Sequence, residues 1–199
     1  MRRINKLTPL PSFDGNHYKK CRTWQCFHEK YKDVFEETRL QILIDEQKIQ
    51  CGYTELYIND ESDSHIDHYQ KRDYYPNLTF DWNNYIVATK DYRFGANYKD
   101  NVYKIRKSEY KDIFNPIIDN IEEYFYYNEL GMIREDEGKV QKTIKVFNLN
   151  HVYLVERRVK IIEAINAYKN GGLSLDKIKS ELETSGFKSV VNQYCKEDN

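Results

Sequence analysis

His65-Ile66-Asp67-His68-Tyr69 is the stretch on which the fold of this chain turns. It is a short alternating segment, compatible with a strand. Strand periodicity puts His65 and Asp67 on one face and Ile66 and His68 on the other. Two imidazoles and a carboxylate this close together can hold a divalent cation, or can pair a metal ion with a general base. In phosphodiester hydrolysis the carboxylate would neutralise and position a hard cation beside the scissile phosphate. The neighbouring imidazole, with an unperturbed pKa of about 6.5, can deprotonate water at neutral pH. The competing reading is a hydrogen-bonded structural His–Asp pair, with the clustering of histidines a matter of chance.

Upstream, Asn59-Asp60-Glu61-Ser62-Asp63 reads as a polar turn. Before it, residues 51–59 (CGYTELYIN) have β character through Tyr57-Ile58. In residues 23–50 the apolar positions Trp24, Phe27, Tyr31, Val34, Phe35, Leu40, Leu43 and Ile44 recur at three and four. That spacing predicts one amphipathic helix or two short ones. Pro9, Pro11 and Gly15 mark residues 1–20 as an extended arm that could dock.

Downstream, residues 70–79 form a loop containing Pro76, and Phe80-Asp81-Trp82-Asn83-Asn84 leads into the apolar Tyr85-Ile86-Val87-Ala88. Asn83 or Asn84 could orient a catalytic imidazole or hold the loop that carries it. The same run also suits a turn whose side chains cap the next element. Gly95 breaks the chain, and 96–101 suits a short helix or a turn. Asn97, Asp100 and Asn101 offer further oxygen ligands there. Lys71, Arg72 and Lys99 could meet phosphates. Each of these residues alone would also suit a solvated surface.

Further on, Pro116 separates two elements. Gly131–Arg134 and Thr143–Val146 flank the charged loop Glu135–Lys139 and read as a hairpin or two short strands. Leu149-Asn150 can cap a helix starting near 151. Its apolar stripe is Val152, Val155, Val159, Ile162 and Ile165, and its basic side is Arg157, Arg158 and Lys160. Gly171-Gly172 ends it. A last helix at about 175–184 and a tail through Asn199 close the sequence.

The 199 residues carry 31 basic and 32 acidic side chains, so affinity for a polyanion would need a local patch. No apolar run has the length of a membrane span, and no signal peptide is evident, which points to the cytoplasm. The four cysteines, at 21, 26, 51 and 195, form no CxxC pair. They fit free thiols in a reducing compartment.

The order of short motifs is more telling than any one of them. Cys51-x-Tyr53-x-Glu55 is followed by His65-Ile66-Asp67-His68-Tyr69, then Leu78-x-Phe80-Asp81-Trp82-Asn83-Asn84, then Phe94-Gly95-Ala96-x-Tyr98-Lys99-Asp100. Asn115-Pro116-x-x-Asp119, Gly131-x-Ile133 and the run 143–150 (TIKVFNLN) come after. This series, with the start Met1-Arg2-Arg3-Ile4-x-Lys6, resembles the HNH endonucleases of bacterial anti-phage defence. Those include the small nuclease of Septu-type systems and the HNH partner of certain retrons. The resemblance covers roughly residues 1–165.

The resemblance implies an α+β fold in which a ββα-metal (HNH) finger is embedded in a mostly helical domain. It suggests an N-terminal arm and helical region (1–50), an HNH-like core (51–107), and a helical C-terminal region with a short hairpin (108–199). It implies a hydrolase: a metal-binding, DNA-binding endonuclease that works in antiviral defence beside an ATPase subunit. Asp67 would be a metal ligand and His68 the general base. Asn84 would be the middle asparagine, with Asn83 as the alternative, and His65 a supporting residue or extra ligand. The third motif position would fall to Asp100, with Asn97 behind it, and Lys99 resembles the lysine that closes the motif. Oxygen-rich ligation would favour Mg²⁺ or Mn²⁺. Where many members carry a Cys-x-x-Cys, Thr54 stands after Cys51. This departure implies that no structural zinc is held, and that Tyr53, Phe94 and their neighbours pack the finger. A third-position histidine is missing as well. A non-catalytic binding or scaffold subunit is the alternative these departures leave open.

Overall fold

A computed structural model describes residues 1–14, 18–21, 23–134 and 138–196. Gly15 of the predicted arm, residues 135–137 of the predicted charged loop and residues 197–199 of the tail lie outside the described residues. The fold is mostly helical, with one small antiparallel sheet of two strands.

The sheet pairs β1 (Ser64–His68) with β2 (Tyr85–Thr89). His65 lies opposite Ala88, Asp67 opposite Ile86, and His68 opposite Tyr85. β2 is aromatic and β-branched, and Tyr85 to Ala88 are fully buried. Its outer edge is closed without a third strand. The Gln47 side chain accepts from Val87 N–H at 2.9 Å and donates to Val87 C=O at 2.8 Å. Gly52 N–H adds a bond to the same carbonyl. A side-chain amide thus does the work of a strand edge, and the β character of 51–59 yields only an isolated bridge, Gln50 to Tyr57. A Cβ at Gly52 would stand 2.4 Å from the Ile86 side chain, so only glycine permits this approach.

Two helices precede the sheet, α1 (Trp24–Lys30) and α2 (Lys32–Leu40), as the three–four spacing predicts. α2 runs on into a π-helical turn, Gln41–Glu46. After β2 comes α3 (Gly95–Asn97), which widens into a π-helical turn over Tyr98–Val102. The order is therefore strand, strand, short helix. The N-terminal arm is docked: Met1 and Ile4 are buried, and Lys6 pairs with buried Glu46 at 2.6 Å.

The second half departs from expectation at three places. Thr143–Val146 is not the arm of a hairpin but lies in α4 (Lys139–Phe147). Val140, Thr143, Ile144 and Phe147 are buried, a helical spacing that outweighs the β-branched run. The hairpin-like contact is instead a bridge from Tyr127 to Ile133. α5 (Val152–Asn170) begins and ends where expected, yet its stripe is rotated. Val152 is 62% exposed, whereas Arg158, expected on the basic side, is buried. The two terminal nitrogens of the Arg158 guanidinium donate to the carbonyls of Gly131 and Leu149, while its buried Nε has no partner among the described residues. Beyond α6 (Leu175–Glu181), the expected tail forms another helix, α7 (Lys188–Tyr194). Its Val190 and Val191 join a buried cluster that runs from Met1 to Cys195.

Candidate functional site

β1 presents ionisable side chains to both of its faces, and each face is a different environment. On one, the His68 ring meets Trp24 edge-on at 4.5 Å and Tyr85 at 5.1 Å. Trp24 is set at the start of α1 by the Thr23 cap. His68 Nε2 lies 2.9 Å from the Thr79 carbonyl, which also accepts from the Tyr85 hydroxyl. A carbonyl only accepts, so Nε2 carries the hydrogen and Nδ1 keeps the lone pair. Burial, and then the nearby Arg72 charge, pull the His68 pKa down to about 4 against the Thr79 bond. The ring is neutral at pH 7. Arg72 is exposed and its guanidinium lies over Trp24 at 5.8 Å.

The loop between the strands is tied by Asn84. Its Oδ1 accepts from Gln70 N–H, and its Nδ2 donates to the carbonyls of Gln70 and Leu78. Asn84 thus fixes both ends of the loop that delivers Thr79 to His68. Asn83 is exposed and takes no part in this clamp.

The other face centres on Lys99, which is sealed from solvent. Its ammonium lies 3.0 Å from Asp67 Oδ2, 3.2 Å from the His68 carbonyl, 3.1 Å from the Tyr69 carbonyl and 3.4 Å from Asp100 Oδ1. Asp67 accepts a further bond from the buried Tyr53 hydroxyl. Tyr53 is held in turn by stacking on Phe147 at 4.6 Å. Burial works against the Asp67 charge, but Lys99 and Tyr53 overcome it and its pKa is lowered. Burial likewise opposes the Lys99 charge, and Asp67 and Asp100 overcome it, so its pKa is raised. Asp100 fares differently: burial, with Asp67 nearby, outweighs Lys99 and lifts its pKa to about 6.

The remaining candidates fall into place around these. His65 shares the Asp67 face, and its buried Nδ1 has no hydrogen-bond partner. Lys71 donates to the Asp100 carbonyl at 3.2 Å and stands 3.6 Å from its carboxylate. Asn97 is half-buried and only weakly linked to Asn101, at 3.5 Å. The structure brings Asp67, Asp100, Lys99 and Lys71 together, and His68 with Asn84 and Thr79. It does not bring Asp67 and His68 to one point, because adjacent residues of a strand face opposite ways. Lys99, expected to face phosphate, is turned inward. Among the described residues no group of three His, Cys, Asp or Glu side chains is placed to hold a metal ion. Tyr53 and Trp24 were not legible as site residues, although Cys51-x-Tyr53-x-Glu55 marked the first of them as part of a motif.

No family model matches the chain. The chain is similar to the Septu protein PtuB of Bacillus mycoides (strain KBAB4), with 26% identity over 200 residues. That match takes in 82% of this chain and 66% of the relative, so the chain spans just under two thirds of the protein it matches. No helix among the described residues is long and apolar enough to cross a membrane.

Proposed function

We propose that this chain is a subunit of a Septu-like anti-phage defence assembly, one that keeps an HNH-type strand–strand–helix frame for binding and positioning rather than for metal-dependent cleavage. The observation that carries this reading is the Lys99 ammonium among the oxygens of Asp67, Asp100, His68 and Tyr69. Two carboxylates and two carbonyls make a set of donors suited to a hard cation. Here a tethered cation already fills it. Mg²⁺ or Mn²⁺ would have to expel Lys99 or sit against its charge. Ala96, one turn before Lys99 on the same helix, is buried and offers no ligand. On this reading the donors as arranged serve the Lys99 ammonium in place of the divalent ion implied by the resemblance.

A second reading, a metal-dependent DNA endonuclease gated by an ATPase, is favoured by one specific observation. His68 is neutral at pH 7 and is held in the tautomer that leaves the Nδ1 lone pair free to accept a proton, the form in which a general base acts. That reading needs a partner or substrate to free Asp67 from Lys99. The two are separated by incubating plasmid and linear DNA with Mg²⁺ or Mn²⁺, alone and with the ATPase of the same system. The expected result is no cleavage above that of His68→Ala, with phage protection unchanged in that variant. Cleavage by the wild type that survives His151→Ala but not His68→Ala overturns the scaffold reading.

A further inference from the structure

A groove of about 560 Å³ lies away from β1, between the π-helical turn at the end of α2 and the helices α6 and α7. Its floor is apolar, formed by Ile44, Ile49, Tyr57, Leu182 and Val191. Its rim is basic: Lys48, Lys179 and Lys188 face a single acidic residue, Glu183. Lys48 and Lys188 have no ion-pair partner among the described residues, and Lys179 has only a loose pair with exposed Asp176 at 4.0 Å.

Two further features set the groove apart from an ordinary surface furrow. Lys48 and Ile49 both adopt left-handed backbone, with φ of 55° and 59°. That conformation is unfavourable for a β-branched residue. It is held by bonds from Ile49 N–H to the Leu43 carbonyl and from Ile58 N–H to the Ile49 carbonyl. Strain of this kind collects at ligand clamps. The second feature is Gln50, a buried wall residue whose Oε1 is sealed from solvent and has no hydrogen-bond donor.

We infer that this groove docks an acidic, amphipathic peptide segment of a partner protein, with apolar side chains on Ile44, Ile49 and Leu182 and carboxylates on Lys48, Lys179 and Lys188. Complementary charge selects the acidic partner. The floor is mostly aliphatic, with Tyr57 its one aromatic residue, and the rim carries lysines rather than arginines; this favours a peptide over a nucleic acid, which would call for several stacking aromatics and guanidinium groups. The inference does not rest on the proposed role of the β1 site.

The test uses the full chain and a fluorescein-labelled peptide of Glu, Leu and Phe in alternating acidic and apolar order, with a counterpart bearing Lys for every Glu. Fluorescence polarisation should show binding of the acidic peptide only, weakening as salt is raised. Lys48→Glu/Lys188→Glu and, separately, Ile44→Asp should each weaken it by about tenfold or more. These are surface changes, and unchanged thermal melting would show that each variant is folded. Equal binding of the Lys peptide overturns the inference, as do variants that bind like the wild type. Displacement of the acidic peptide by an oligo-dT strand at equal or lower concentration overturns it in favour of nucleic acid.

Discussion

The two faces of β1 carry acid–base groups on adjacent residues and treat them in opposite ways. On the Asp67 face, charge is buried and kept: the carboxylate accepts from the Lys99 ammonium and the Tyr53 phenol, and the ammonium donates in addition to two backbone carbonyls. On the His68 face, charge is suppressed, because the ring is boxed by Trp24 and Tyr85 and its bond to the Thr79 carbonyl, although it favours the charged ring, does not offset burial. Burial is nearly the same for both, at 7% and 6% exposure. What differs is the partner. The strand is thus an ion-pair anchor on one side and a neutral imidazole mount on the other.

The largest break in this comparison should come from Lys99→Met. It leaves Asp67 buried without a counter-ion, a change that costs about 3–5 kcal/mol. Urea unfolding would measure it. Lys99→Met combined with Asp67→Asn should recover much of the loss, because the uncompensated charge is gone. A loss below about 1 kcal/mol for the single variant would mean that Asp67 is not held as an ion pair.

His68 gives the next largest effect, and it depends on pH. Its folded pKa of about 4 lies below the ordinary 6.5. Between these values the unfolded chain binds the extra proton, so stability falls as pH drops from 6.5 towards 4 and is fully present above 6.5. The contribution is roughly 3 kcal/mol at most. Asp100 titrates with the opposite sign in nearly the same window, so the clean measurement is the difference between wild type and His68→Gln. That difference should change between pH 6.5 and 4. A difference that is flat with pH would show that His68 is not buried neutral.

Asn84→Ala should cost about 2 kcal/mol, since it leaves the N–H and carbonyl of Gln70 without their partner and the Leu78 carbonyl with only its bond from Asp81 N–H. The change also frees the segment that carries Thr79, and loss of that bond, which favours the charged ring, should lower the His68 pKa further. Titration of the ring followed by NMR would show this. An unmoved His68 would separate the loop clamp from the imidazole mount.

Local periodicity made the frame of this site legible: the alternation at 65–68, the apolar run at 85–88, the glycine break at 95 and the three–four spacing of α1 and α2. Asn84 stood out because an amide beside a possible catalytic histidine has work to do. Lys99 was misread, because a lysine in a polar helix scores as surface unless something buried demands its charge. That demand comes from Asp67, 32 residues away. Arg158 was misplaced for the same reason, with its carbonyl partners supplied by other parts of the chain. Thr143–Val146 shows the local limit: four residues fit either period, and the packing of Val140 and Phe147 decides.

The smallest predicted effect tests whether Asp100 belongs to the Lys99 anchor or is merely tolerated beside it. Its folded pKa of about 6 is above the ordinary 3.8, so its environment disfavours the charge despite Lys99 at 3.4 Å. For a carboxyl raised in this way, the folded chain binds the extra proton between pH 3.8 and 6. Wild-type stability therefore falls as pH rises through that window, and Asp100→Asn, which cannot ionise, is spared the loss. At pH 7 the variant should be the more stable, by about 1 kcal/mol once solvent screening of this partly exposed carboxyl is discounted from the roughly 3 kcal/mol of the full shift, with the gap closing near pH 4. If Asp100→Asn is instead destabilised at pH 7, Lys99 needs both carboxylates, and the cage holds its ammonium as a true two-carboxylate cation site rather than as a single Asp67–Lys99 pair.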